Sequence, residues 1–243
     1  NVCRAVDELE RPRALILAGS WHVIGERELR GIVDEEFGFR PDKVEERARL
    51  YVLSKIAQEV VVRYYDEISE KKFVVMRMGT ILGEGMPEKT AANIFITEGL
   101  EGRPITPYRH SMYRPMLYVD VNDVVKGFAS MIEKVLSRRE RWRGVVNLFY
   151  PEPVTIIELA EIVRDSIIEL TGGRIIPEIE IVDKGIPEAF SAEDKHKFRV
   201  DISRSLEVLG IEKLTPPRES IKRIIGARLQ RKLGAKGARV TGS

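Results

Sequence analysis

The sequence predicts an α/β protein built on a mainly parallel sheet, and three observations carry that expectation. Apolar runs of strand length alternate along the chain with longer segments of helical period. The first such run, Ala14-Leu-Ile-Leu-Ala18, is apolar at every position, the pattern of a strand covered on both faces. Strand, amphipathic helix and strand then follow in the order of a parallel crossover unit. With 243 residues, 43% hydrophobic and 32% charged, the chain is long enough for one large domain or two small ones with a core.

Residues 2–10 read as the end of a helix that leads into the Ala14–Ala18 strand. A polar loop runs from Gly25 to about residue 42. The helix over residues 44–66 carries Leu53, Ile56, Ala57, Val60, Val61 and Tyr64 at helical spacing, a stripe expected to bury against the sheet. Phe73-Val-Val-Met-Arg77 is the next strand, and Gly83-Glu-Gly-Met-Pro87 marks the loop after it. A helix over 90–100 closes at Gly102; a strand over 116–121, a helix over 123–136 and a strand over 145–149 follow. Thr155-Ile-Ile-Glu158 is a capping-box signature, and Ile156, Leu159, Ala160, Val163 and Ile167 give the helix behind it an apolar face that ends at Gly172-Gly173. Residues 179–182 alternate as a half-buried strand does, and helices over 203–209 and 217–233 finish the pattern. Arg223, Arg228, Arg231 and Lys232 on the last helix read as a solvated face, and residues 235–243 as a flexible tail.

Charge and cysteine usage narrow the partners. Forty Lys and Arg against thirty-eight Asp and Glu leave +2, so no global field favours nucleic acid or an anionic membrane. No apolar run approaches the roughly 20 residues that span a bilayer. One cysteine, Cys3, excludes an internal disulfide framework and fits a reducing cytoplasm. His22, His110 and His196 lack the spacing of metal ligands, so no metal site is expected.

The pattern that suggests chemistry is Tyr51-Val-Leu-Ser-Lys55, about thirty residues beyond a strand that ends in Gly19-Ser20. Residues four apart on a helix lie about 40° apart around its axis, so Tyr51 and Lys55 share a face. A phenol, with a reference pKa of about 10, is a poor base at neutral pH, and a neighbouring ammonium favours its ionised form. Ser20 at the strand mouth could bind the same substrate oxygen and hold it for proton transfer. With seven tyrosines in the chain the spacing also arises by chance, and a solvated Tyr-Lys helix face is the alternative. No Gly-x-Gly-x-x-Gly or Gly-x-x-Gly-x-x-Gly turn occurs, and the chain begins at Asn1; both suggest the carboxyl-side part of an enzyme without its cofactor-cradling front.

Several segments, in order, resemble the extended short-chain dehydrogenases/reductases of the nucleotide-sugar epimerase and dehydratase group. Ala14 through Gly25 is similar to the strand and serine turn, Tyr51 through Lys55 to the catalytic helix, and Arg77-Met-Gly-Thr-Ile-Leu-Gly83 to the strand end beside the nicotinamide. Gly102-Arg-Pro-Ile-Thr106 and Arg114-Pro-Met-Leu-Tyr-Val-Asp120 resemble substrate-side segments, and residues 147–160 the later strand and helix. The resemblance implies a Rossmann-like parallel sheet, lacking its amino-terminal part, with a smaller α/β substrate-binding domain. Residues 1–83 with 112–150 would form the NAD-binding part and 84–111 with 151–234 the substrate-binding part.

By the same resemblance Tyr51 would be the general acid/base, Lys55 would tune it and hold the ribose of NAD, and Ser20 would bind the reacting hydroxyl. Gly79 would lie beside the nicotinamide through its backbone, and Thr80, Asn93, Tyr108 and Arg114 would contact a nucleotide-diphosphate sugar. Gly19, Ile24 and Thr80 stand where the family has serine, tyrosine and asparagine. Trp21-His22 replaces the Asp-Glu pair of sugar dehydratases, which favours epimerisation through a transient keto sugar. Another reaction of the family, dehydratase or reductase, and a non-catalytic dinucleotide-binding interaction protein are the alternatives. The resemblance further implies weak NAD binding by these residues alone and a possible homodimer through the Tyr51 helix.

Overall fold

A computed structural model describes residues 1–137 and 144–240, with side chains as far as Lys232. Its strands are β1 (Ala14–Ser20), β2 (Gly31–Val33), β3 (Lys72–Met78), β4 (Thr80–Leu82), β5 (Pro115–Met116), β6 (Tyr118–Asp120), β7 (Gly144–Leu148), β8 (Val154–Thr155) and β9 (Phe198–Val200). The helices are α1 (Val2–Glu8), α2 (Glu46–Ile68), α3 (Ala91–Leu100), α4 (Val121–Leu136), α5 (Ile156–Thr171), α6 (Ser203–Leu209) and α7 (Pro217–Val240). The α/β character and the parallel sheet match the expectation from the sequence.

The main sheet runs β1-β3-β7, parallel throughout, with Ala14 opposite Lys72 and Val74 opposite Gly144. Alternation along β3 divides its side chains between two faces. Val74 and Met76 join a core that continues through Phe95 on α3, Leu159 and Val163 on α5, and Ile221 and Ile225 on α7. Phe73 and Val75 turn to the other face, where they meet Val62 of α2, Val145 and Cys3. Smaller parallel pairs, β4 with β6 and β2 with β9, and an antiparallel pair, β5 with β8, flank the sheet.

Helix α2 does not sit as its apolar spacing suggests. Leu53, Val60, Val61 and Tyr64 are each about half exposed, and the buried positions are Val52, Glu59, Val62 and Asp66. The sheet itself explains the rotation. Arg77 follows Phe73 and Val75 on the same face of β3, and its guanidinium needs a carboxylate if it is to be buried. Glu59 supplies one: Arg77 Nε donates to both carboxylate oxygens at 3.1 Å and Nη2 to one at 2.7 Å. Nη1 reaches the carbonyls of Glu35 and Phe37, so the fork is satisfied in the interior.

Thr155 caps α5 as the sequence predicts: its hydroxyl accepts from Glu158 N while the Glu158 carboxylate accepts from Thr155 N. Gly172 ends the helix at φ 60°, a left-handed conformation that favours glycine. Residues 179–182 form bridges at Ile105–Ile179 and Tyr108–Val182 in place of a strand. The expected solvated face of α7 is in part a docking face. Arg228 donates to Asn93 and Thr97, Arg223 pairs with buried Asp120, and Arg231 pairs with Glu84. Backbone of α7 continues to Val240, through most of the stretch read as a tail; the rest of that stretch, residues 241–243, lies outside the described residues.

Candidate active site

The site forms where β1 ends. Ser20 closes the strand and caps a short 3-10 turn over Trp21–Ile24, its hydroxyl accepting from His22 N at 3.3 Å. Only 4% of Ser20 is exposed, and the turn points the next side chains into the protein and toward α2. Trp21 is fully buried, and its Nε1 donates to Thr80 Oγ1 at 3.2 Å, tying the turn to β4. The His22 ring lies beside the Tyr51 ring, edge to face, with centroids 6.2 Å apart.

Tyr51 lies in the second turn of α2 and is about half exposed, so its phenol is reachable from solvent or from a bound ligand. Lys55, one turn on, donates from Nζ to the Ala18 carbonyl at 3.0 Å and stands 5.9 Å from the Tyr51 ring centroid. A lysine so placed brings positive charge to the end of β1. Tyr118 makes an instructive contrast. Burial pushes its phenol well above the usual range, against an opposing influence of Arg114, so it enters the wall as a neutral hydroxyl.

A cleft of about 360 Å³ opens beside this turn, with His22, Glu26, Thr80, Arg114 and Tyr118 among its lining and Arg47 and Lys89 adding positive charge. Arg114 is nearly buried; its Nη1 lies 2.8 Å from Glu45 and 3.8 Å from Glu26, and its Nε has no partner among the described residues. Burial alone would raise the Glu26 carboxyl, but a hydrogen bond from His22 and the charges of Arg114 and Arg47 outweigh it and hold the group below its ordinary value. An ionised carboxylate therefore sits at the base of the cleft.

Of the residues singled out in the sequence, Thr80 and Arg114 line the cleft, whereas Ser20, Tyr51 and Lys55 stand at the end of β1 beside the turn and are not among the residues that line it. Gly79 is nearby but packed: its N–H donates to the Leu148 carbonyl, and a Cβ there would meet the Leu117 carbonyl and Phe149 Cβ at 2.8 Å. Asn93 faces another hollow. Its amide donates to the Met86 and Pro87 carbonyls and accepts from Arg228 and Thr97. Tyr108 stacks on His110 under Lys184 and bridges to Val182. His22, Glu26, Arg47 and Lys89 were not anticipated; the four-residue step from His22 to Glu26 was the one local signal available.

Residues 1–147 match the family described as "NAD dependent epimerase/dehydratase family". A curated relative, UDP-glucuronic acid decarboxylase 1 of Danio rerio, is 25% identical over 214 residues, which are 87% of this chain and 46% of that protein. Among solved structures, UDP-glucuronic acid 4-epimerase from Bacillus cereus, in complex with UDP-glucuronic acid and NAD, superposes with a TM-score of 0.68 at 17% identity, covering 91% of this chain and 62% of that one. MoeE5 in complex with UDP-glucose and NAD gives 0.69 at 22% identity, over 96% and 69%. The chain thus spans about half the length of the curated relative and three-fifths of the first of these structures, and at such identities the structural likeness speaks for the fold. With a match that covers more than half of its residues, the chain belongs to the NAD dependent epimerase/dehydratase family.

Proposed function

We propose that this chain carries the catalytic part of an enzyme that epimerises a nucleotide-diphosphate sugar with NAD. The observation that supports the reading best is that Lys55 reaches the Ala18 carbonyl near the carboxyl end of β1 while Tyr51 lies against His22, which contacts Ser20, beside a cleft with three cationic side chains. Tyr51 takes the proton of a sugar hydroxyl and later returns it; its partial exposure leaves the phenol accessible. Lys55 sets an ammonium beside the phenol ring, 5.9 Å from its centroid. Ser20 holds the sugar oxygen in reach, and Arg114, Arg47 and Lys89 offer counter-charge to a diphosphate.

The donor set fits the nicotinamide end of NAD: Lys55 and Tyr51 would hold the ribose, with the backbone around Gly79 alongside. When bound, NAD would take a hydride from the sugar carbon and return it to the opposite face, with a keto sugar in between. No glycine-rich phosphate turn occurs in the 243 residues, so these residues alone are proposed to hold NAD weakly and not to turn over. The reading rests on Thr80 and Arg114 for substrate contact and does not draw on Asn93 or Tyr108. Its one thiol, Cys3, is free and buried, in keeping with a cytoplasmic setting.

The decisive experiment uses the gene product that carries these residues, with NAD and a panel of UDP-sugars. Interconversion of 4-epimers is expected, and Tyr51→Phe should lower kcat by about a hundredfold or more. Loss of water or of carbon dioxide from the sugar would move the assignment to another reaction of the family. Unchanged function in Tyr51→Phe would point to a non-catalytic binding protein.

A further inference from the structure

We propose, on the reading above, that Ser20 does not act as an isolated hydroxyl. It is the outer member of a relay, Ser20–His22–Glu26, in which His22 is a positioning residue that sets whether Ser20 accepts a hydrogen bond from the substrate or donates one.

Three contacts define the relay. Ser20 Oγ lies 3.2 Å from His22 Nδ1. His22 Nε2 lies 3.2 Å from Glu26 Oε1, four residues along the chain. Glu26 is 2% exposed, and Arg114 stands 3.8 Å from its other oxygen. Because that carboxyl is held in its ionised form, both of its oxygens only accept, so Nε2 carries the hydrogen. In the neutral ring Nδ1 is then bare, and the hydrogen it accepts is the one on Ser20 Oγ. Ser20 already accepts from the His22 backbone N–H, which leaves one lone pair for a ligand. Toward a ligand at the end of β1, Ser20 is therefore an acceptor, suited to a sugar hydroxyl.

One rotation reverses the arrangement. Once Tyr51 has taken the proton of the sugar hydroxyl, the substrate oxygen only accepts, and Ser20 turns its hydrogen from Nδ1 toward it. No proton reaches His22: the sugar gives up one proton to Tyr51, Ser20 keeps its own, and the return step runs the same path backward. The Trp21 ring, centroid 4.3 Å away, and the Tyr51 ring hold the imidazole in this plane.

The test has two arms. In the folded protein, at a pH where the ring is neutral, ¹⁵N NMR of the three histidines, with His22 assigned by its loss in His22→Asn, should show the His22 hydrogen on Nε2, and Ser20→Ala should shift its Nδ1 resonance. A neutral ring protonated at Nδ1, or an Nδ1 signal indifferent to Ser20→Ala, overturns the relay whether or not a sugar substrate is ever found. In the active gene product, His22→Ala should lower kcat about tenfold with KM within about twofold, and His22→Asn, which keeps an acceptor near the Nδ1 position, should recover part of it. Equal losses in both variants, or a loss confined to KM, overturn the positioning role. Absence of nucleotide-sugar turnover in the unsubstituted protein would instead defeat the functional reading, and the NMR arm would still decide the relay.

Discussion

Glu26 shows how two opposing effects act on one carboxyl. Burial favours the neutral form, while the His22 hydrogen bond and the nearby Arg114 and Arg47 favour the anion and prevail. A carboxyl whose folded value lies below its unfolded one contributes stability above the unfolded value, here 4.5, and loses it as pH falls through the folded value. Glu26→Gln should therefore cost about 1–3 kcal/mol near neutrality. Urea titrations from pH 7 to pH 3 should show that difference shrinking as the medium becomes acid; a difference that is flat or grows would contradict the ionised carboxylate. At this scale the sequence disclosed what is local. Tyr51 and Lys55 are one turn apart, and Ser20 ends an apolar strand, so spacing alone was informative. Arg77 and Glu59 are 18 residues apart, on a strand and a helix, and no spacing rule joins them.

The orientation of α2 follows from that pair. Counting apolar positions selects the Leu53–Val60–Val61–Tyr64 face, because the count treats every charge as outward. One arginine on the inward face of β3 reverses the choice, since leaving its guanidinium unpaired in the interior costs more than exposing several aliphatic side chains to half their extent. Strands β4, β8 and β9, of two or three residues, were invisible for a different reason: a period of two needs more residues than they have. Gly79 belongs to the junction of β3 and β4, where the chain passes so close to Leu117 and Phe149 that a methyl group has no room. Two of the three atoms it would meet are backbone, which cannot turn aside as a flexible side chain does. Gly79→Ala should lower stability by about 1–3 kcal/mol without NAD present, measured by chemical denaturation. An unaltered midpoint would assign this glycine to the cofactor instead of the packing.

Across the whole molecule, the rotation of α2 leaves Leu50, Leu53, Val60, Val61, Tyr64 and Ile68 on one exposed side of a long helix. From residue 50 to residue 68 that side extends about 27 Å. Scattered apolar side chains on a surface need no explanation, but a continuous face of this length usually has a partner. Two copies of one helix face related by a twofold axis are self-complementary, each apolar side chain meeting an equivalent one, and the proposed homodimer would bury this face at the cost of no charge. Sedimentation velocity at tens of micromolar should give twice the chain mass. Val61→Glu places a charge at the middle of the face, and because Val61 is already half exposed the monomer should keep its fold and melting temperature. The substituted protein is expected to sediment as one chain. A monomer before substitution, or a dimer that survives it, would mean that the face is covered by something other than a second copy.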